Sequence, residues 1–147
     1  MKVKELLAVK GRPVVTIGPN NSVRLAISRL VENNIGALPV CDPGGIIVGI
    51  ITERDILQEC SRIKTSHDLD SSRVKDVMSR DVVIGVPEDD LDYAVSIMMQ
   101  KGIRHLPILT GNRLAGMVSM RDVVEVQLEE SKAQVRYLAD YIAGGYI

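Results

Sequence analysis

Gly49-Ile50-Ile51-Thr52-Glu53-Arg54-Asp55 and Gly116-Met117-Val118-Ser119-Met120-Arg121-Asp122 are two versions of one segment. Each runs glycine, two apolar residues, a hydroxyl residue, a variable residue, then Arg-Asp. Working outward from this pair, the rest of the chain repeats as well. Ile35-Gly36-Ala37-Leu38-Pro39-Val40 precedes the first and Ile103-Arg104-His105-Leu106-Pro107-Ile108 the second. Further back, Val3-Lys4-Glu5-Leu6-Leu7 matches Val74-Lys75-Asp76-Val77-Met78, Pro19 matches Pro87, and Ala26 matches Ala94. The order is kept and only small gaps are needed. Such a repeat means two copies of one supersecondary unit, neither able to cover its apolar face alone.

Each copy has the same local pattern. Val14-Val15-Thr16-Ile17 and Val82-Val83-Ile84 are short β-rich runs that end near a proline. A polar cluster follows, Asn20-Asn21-Ser22 or Glu88-Asp89-Asp90, suited to starting a helix. Val23, Ala26, Ile27, Leu30 and Val31 then recur at helical spacing, as do Leu91, Ala94, Val95, Met98 and Met99. Asn33-Asn34 and Gly102 are natural stops. Two strands joined by Asp42-Pro43-Gly44-Gly45 or Gly111-Asn112 come next, with Pro39 near the start of its strand. A last helix opens at Thr52 or Ser119. The expected fold class is therefore α/β in the α+β sense. Two βαββα repeats pack through their sheets about a pseudo-two-fold axis. Residues 1–60 form repeat one, 61–73 a polar surface linker that includes a solvated His67, and 74–130 repeat two. Residues 131–147 form a C-terminal helix or tail.

That tail has no counterpart in the first copy. Val135, Leu138, Tyr141 and Ile142 fall on one helical stripe, and Gly144-Gly145 ends it. Tyr137, Tyr141 and Tyr146 place three of the four tyrosines there. Two readings stand: a helix folded back on its own domain, or a contact with a second protomer, where tyrosine is favoured because one end is buried and the other wet.

Composition narrows the function. The chain has 147 residues, with 46% apolar and 25% charged, which is the balance of a globular protein. No stretch has the length of a membrane span or the pattern of a signal peptide, so a cytoplasmic location is expected. The net charge is −1, whereas a general nucleic-acid binder needs a basic surplus. Trp and Phe are absent, which removes the aromatic platforms on which bases stack. Cys41 and Cys60 are isolated and read as reduced thiols.

Signatures of catalysis are missing. The sequence holds no GxSxG, HExxH, Walker A or GxGxxG segment. With only His67 and His105 available, no nucleophile–histidine set can be assembled. The chain is therefore expected not to be an enzyme, and no cofactor or metal is expected. The informative pattern is Thr52-x-x-Asp55, repeated as Ser119-x-x-Asp122. A helix N-terminus offers unpaired N–H groups and partial positive charge to a phosphate. The hydroxyl adds a donor, an Asp one turn on accepts from a ribose diol, and Arg54 and Arg121 supply charge. The same spacing also spells a helix capping box, and spacing alone does not choose between the two.

Two ordered copies of hydrophobic-Leu-Pro-Val/Ile followed by Gly-h-h-(Thr/Ser)-x-Arg-Asp, with the lead-in Asp76-Val77-Met78 and the Thr16-Ile17-x-Pro19 strand end, resemble tandem cystathionine-beta-synthase (CBS) domains, the Bateman module. The resemblance covers about residues 3–130. It implies a regulatory module that senses an adenine nucleotide, AMP, ADP or ATP, in composite clefts between the repeats. The signal would pass to an effector protein or to the mate in a homodimer. Carried over, one cleft uses Ser119, Arg121 and Asp122 with Thr16, Ile17, Ile35, Gly36 and Ala37. There the Thr16 hydroxyl faces the ribose-phosphate, backbone near Ala37 reads the adenine edge, and Ile17 and Ile35 cover its faces. The other uses Thr52, Arg54 and Asp55 with Ile84, Ile103, Arg104 and His105. Ile84 departs from the pattern by lacking the Thr16 hydroxyl, so the two clefts are expected to differ in affinity. The alternatives are an interaction module with no nucleotide, an S-adenosylmethionine binder, or an RNA binder.

Overall fold

The computed structural model describes residues 1–65 and 67–145. The expected Tyr146 contact lies outside them. In chain order the elements are α1 (Val3–Lys10), α2 (Val23–Asn33), β1 (Ala37–Cys41), β2 (Ile47–Thr52), α3 (Glu53–Arg62), α4 (Asp68–Ser71) and α5 (Val74–Val77). They continue with α6 (Leu91–Lys101), β3 (His105–Thr110), β4 (Arg113–Ser119), α7 (Met120–Asp140) and a π-helical turn (Tyr141–Gly145).

The two repeats follow the same local physics. Ser22 starts α2 by accepting from the Leu25 N–H. Asn34 and Gly102 end α2 and α6 in the left-handed conformation, at φ 52° and 66°. β1 pairs antiparallel with β2, and β3 with β4, as two separate hairpins. Their turns meet through a bridge between Ile46 and Arg113.

The expected first strand of each repeat is reduced to a single residue. Ile17 bridges Val40 and Gly85 bridges Ile108, both in parallel sense. Ile17 donates to the Pro39 carbonyl at 3.1 Å and accepts from Cys41 at 2.9 Å. The run cannot extend further because the Asn21 side chain takes the Gly18 N–H at 2.8 Å and turns the chain away. Gly85 repeats the pattern with Pro107 and Leu109.

The lead-in helices are exchanged between the repeats. Val3 and Leu6 of α1 are buried in the core of the second repeat, with Leu91, Met98, Leu106, Ile108 and Val118. Val74 of α5 and the following Met78 are buried in the first, with Val23, Leu30, Leu38, Val40 and Ile51. Backbone bonds hold both in matching fashion. Val3 donates to Asp89 and Lys4 to Pro87, while Val74 donates to Asn21 and Lys75 to Pro19. Each exchanged segment seats on a glycine. A Cβ on Gly116 would lie 2.6 Å from Leu7 Cδ2, and one on Gly49 2.6 Å from Met78 Sδ. Because each core is completed by the other's lead-in, the repeats are locked as one unit.

The segment between the repeats is not bare. It carries α4, and Leu69 packs against the first core. At the C-terminus, the helix opened by Ser119 and the expected tail helix are one continuous α7 of 21 residues. Its outer half does not fold back on the domain. Val135 and Leu138 are both exposed.

Candidate functional site

Two clefts open between the repeats, one of about 700 Å³ and one of about 250 Å³. Ligand pockets generally enclose about 300–1,000 Å³. The larger cleft falls within that range and the smaller below it.

In the larger cleft stand Ser119, Arg121 and Asp122 from the β4–α7 junction, opposite Ile35, Gly36 and Ala37 from the entry to β1. Six of the eight residues named for this cleft are thus brought together. Thr16 and Ile17 are not on its wall. Ile17 is 2% exposed in the first core, and the Thr16 carbonyl accepts from Arg29 Nη1 at 2.7 Å. Val14 and Val15 are on the wall instead.

Ser119 and Asp122 form a complete capping box. The Ser119 hydroxyl accepts from the Asp122 N–H at 3.1 Å, and Asp122 Oδ2 accepts from the Ser119 N–H at 2.8 Å. The same Oδ2 lies 2.8 Å from Lys10 Nζ. Lys10 also donates to the Met117 carbonyl at 2.8 Å. Among the described residues, Asp122 Oδ1 takes no hydrogen bond. The capping role therefore occupies one carboxylate oxygen and leaves the other without a protein partner among the described residues. Burial pushes the Asp122 carboxyl up. The Lys10 hydrogen bond, the Ser119 N–H and hydroxyl, and the Lys10 charge together outweigh it and hold the carboxyl below its ordinary value.

The smaller cleft gathers Thr52, Arg54 and Asp55 with Ile103, Arg104 and His105. Ile84 is absent from its wall and is 43% exposed. Thr52 and Asp55 close the same capping box, at 2.9 and 3.2 Å. Here the second oxygen, Oδ1, sits 3.4 Å from the Ser79 hydroxyl.

Charge separates the clefts. The lead-in alignment puts Lys10 at the position of Asp81, and each lines its own cleft. The larger cleft carries Lys10, Arg12, Arg104 and Arg121 beside Glu32, Glu53, Asp122 and Glu125. The smaller carries only Arg54 and Arg104 beside Glu53, Asp55 and Asp81. Reading the lead-in as part of its own repeat hides Lys10 and Arg12, because the exchange is what delivers them.

Gly36, Glu53, Arg104 and His105 line both clefts and form the wall between them. His105 packs close to Gly36, where a Cβ would be 3.0 Å from its Nε2. Burial lowers the His105 pKa first, Arg104 and Lys10 add to this, and Glu53 and Asp122 oppose it, leaving it below 6.5. Among the described residues no cluster of three or more His, Cys, Asp or Glu is placed to hold a metal ion. Nor is any helix long and apolar enough to cross a membrane.

Exchanged lead-ins, two hairpins, and paired helix entrances on inter-repeat clefts define a tandem repeat module. The CBS domain family matches residues 3–62 and again 74–129. The chain belongs to the CBS domain family and carries a pair of these domains, a regulatory module. It is 37% identical to an uncharacterized 17.7 kDa protein of Acidianus ambivalens, over 97% of this chain and 83% of that one. The CBS domain-containing protein YhcV of Bacillus subtilis is 35% identical over 82% and 83%. Inosine-5'-monophosphate dehydrogenase of Methanocaldococcus jannaschii is 34% identical over 84% of this chain but only 23% of its own length. A CBS-domain protein of Agrobacterium tumefaciens superposes with a TM-score of 0.79 at 35% identity, covering 86% of this chain and 99% of that one. The CBS pair of protein MJ0100, solved with 5'-methylthioadenosine and S-adenosyl-L-methionine, gives 0.77 at 25% identity over 88% and 98%.

Proposed function

We propose that this CBS pair is a cytoplasmic, non-catalytic sensor of an adenine nucleotide, AMP, ADP or ATP, and that the larger cleft is the nucleotide site. One observation carries the reading: the N-terminus of α7, with the Ser119 hydroxyl and Asp122 carboxylate, meets the Lys10 ammonium inside a cleft of about 700 Å³. A helix entrance and cations favour phosphate. An acceptor oxygen one turn on suits a ribose diol. Lys10 has three N–H donors and spends two on Asp122 and Met117, so one remains for a phosphate oxygen. Arg12, Arg104 and Arg121 add charge around it.

Residues 1–60 and 74–130 serve as the two halves of the sensor. A ligand touching both can shift their relative arrangement only through contacts that differ between arrangements. The output passes to an effector or to the mate in a homodimer. The smaller cleft has Asp81 where the larger has Lys10, and it is too small for a whole nucleotide on the volume criterion. Phosphate is disfavoured there.

A second reading has one specific support. The MJ0100 pair holds S-adenosyl-L-methionine and 5'-methylthioadenosine, adenosine derivatives without phosphate. Calorimetric titration of the full chain with AMP, ATP, adenosine and S-adenosylmethionine separates the readings. One AMP or ATP per chain, tighter than adenosine, is expected. Preference for S-adenosylmethionine supports the second reading. No heat with any of the four leaves an interaction module without a nucleotide.

A further inference from the structure

Two helix termini of opposite polarity line the larger cleft. One is the start of α7, with Lys10 and Arg121 beside it. The other is the end of α2, which places Glu32, Asn33 and Asn34 on the wall. A helix C-terminus carries unpaired carbonyls and partial negative charge. The Asn34 N–H donates to the Leu30 and Val31 carbonyls. Among the described residues nothing donates to the carbonyls of Glu32 and Asn33, and the Glu32 carboxylate has no ion pair. The last turn of α2 holds no base to offset this charge.

The matching helix of the second repeat is built otherwise. With Ala26 aligned to Ala94, Glu32 corresponds to Gln100 and Asn33 to Lys101, a base in the last turn of α6. The acid at the end of α2 is therefore not something the repeat requires.

The remaining charges of the cleft leave no cationic surplus. Lys10 pairs with Asp122 and Arg121 with Glu125. Arg12 and Arg104 are then left beside Glu32 and Glu53, so cations and acids balance. Attraction for phosphate is local to the α7 entrance. A single phosphoryl group brings about −1.5 to −2 charge, which that entrance and the third Lys10 donor can meet. Each further phosphoryl group adds negative charge that has no spare cation to meet it, in a cleft walled by Glu32 and bare carbonyls.

We propose that Glu32, together with the C-terminus of α2, is a specificity-determining residue that favours nucleoside monophosphates over di- and triphosphates in the larger cleft. The proposal rests on that cleft being the nucleotide site and narrows what the site takes.

Calorimetric titration of the full chain with AMP, ADP and ATP tests it. Low ionic strength and a metal chelator keep the full charge on each ligand. Affinity is expected to fall from AMP to ADP to ATP. Glu32→Gln introduces the residue type that α6 carries at this position, and the Glu32 side chain is exposed, so the fold is expected to be kept and thermal melts verify it. The variant is expected to tighten ATP by about two- to fivefold, the size of one exposed charge–charge interaction, and to change AMP less. Added salt is expected to narrow the AMP–ATP gap, which exclusion by size alone would not do. ATP bound as tightly as AMP overturns the proposal and leaves the nucleotide site standing. A gap that Glu32→Gln does not narrow overturns the role of Glu32. Binding of none of the three overturns the nucleotide reading and this proposal with it.

Discussion

Lys10 Nζ stands 2.8 Å from Asp122 Oδ2, joining the lead-in helix from the start of the chain to the helix entrance of the second repeat. The two side chains are only 23% and 14% exposed. A pair this sheltered is weak evidence of stability in itself, yet removing one partner is costly because the other charge is left behind.

Asp122→Asn should therefore lower stability by about 1–3 kcal/mol near neutral pH. The pH dependence has a definite sign. The Asp122 carboxyl is depressed in the folded chain below its ordinary 3.8. Its contribution is full above 3.8 and fades as pH falls through the depressed folded value. Urea unfolding should show a clear gap between the two proteins at pH 7 that narrows below pH 3.8. A gap that widens on acidification would contradict the assignment.

His105 gives the opposite kind of signal. Its folded pKa is lowered, chiefly by burial and then by Arg104, so the unfolded chain takes up a proton first as pH falls below 6.5. Stability should decline from there downward, and His105→Gln should flatten that slope. A phosphate in the adjoining larger cleft would favour the charged imidazole. AMP binding at pH 6, measured by calorimetry in two buffers of different ionisation enthalpy, should take up more protons in the unsubstituted chain than in His105→Gln, the titration of the phosphate itself being common to both.

Gly49 and Gly116 are equivalent in the repeat but not in what surrounds them. A Cβ on Gly49 would lie 2.9 Å from the Ser79 carbonyl as well as 2.6 Å from Met78 Sδ. That carbonyl receives the Ile50 N–H at 3.0 Å, so the backbone cannot yield without losing a bond. The three atoms nearest a Cβ on Gly116 all belong to the branched end of Leu7, a side chain that can turn away. Gly49→Ala should cost about 1–3 kcal/mol and Gly116→Ala less, read from chemical unfolding. The reverse order would contradict the packing described.

Much of this was legible in the sequence because the duplicated segments carry local chemistry. The capping hydroxyls of Thr52 and Ser119, the stops at Asn34 and Gly102, and the helical spacing after Ser22 all act within a few residues. The residues Ile35, Gly36, Ala37, Arg104 and His105, which the family resemblance carries onto those segments, do line the clefts. What the sequence hid was tertiary. Lys10 and Arg12 reach the larger cleft only because α1 crosses to the other repeat, and no local pattern announces an exchange. Thr16 and Ile17 lie off the wall of the larger cleft for a related reason. The first strand shrinks to one bridged residue, which turns Ile17 into the core and leaves Val14 and Val15 on the wall.

On the proposed reading, the larger cleft takes a phosphate beside Lys10. Lys10→Met, titrated in parallel with AMP and adenosine, separates the phosphate contact from the rest of the ligand. A charge-assisted hydrogen bond contributes about 1.5–3 kcal/mol, or roughly ten- to a hundredfold in affinity. AMP should weaken by that factor while adenosine, which has no phosphate, changes far less. Equal weakening of both ligands, or an unchanged AMP affinity, would contradict the account.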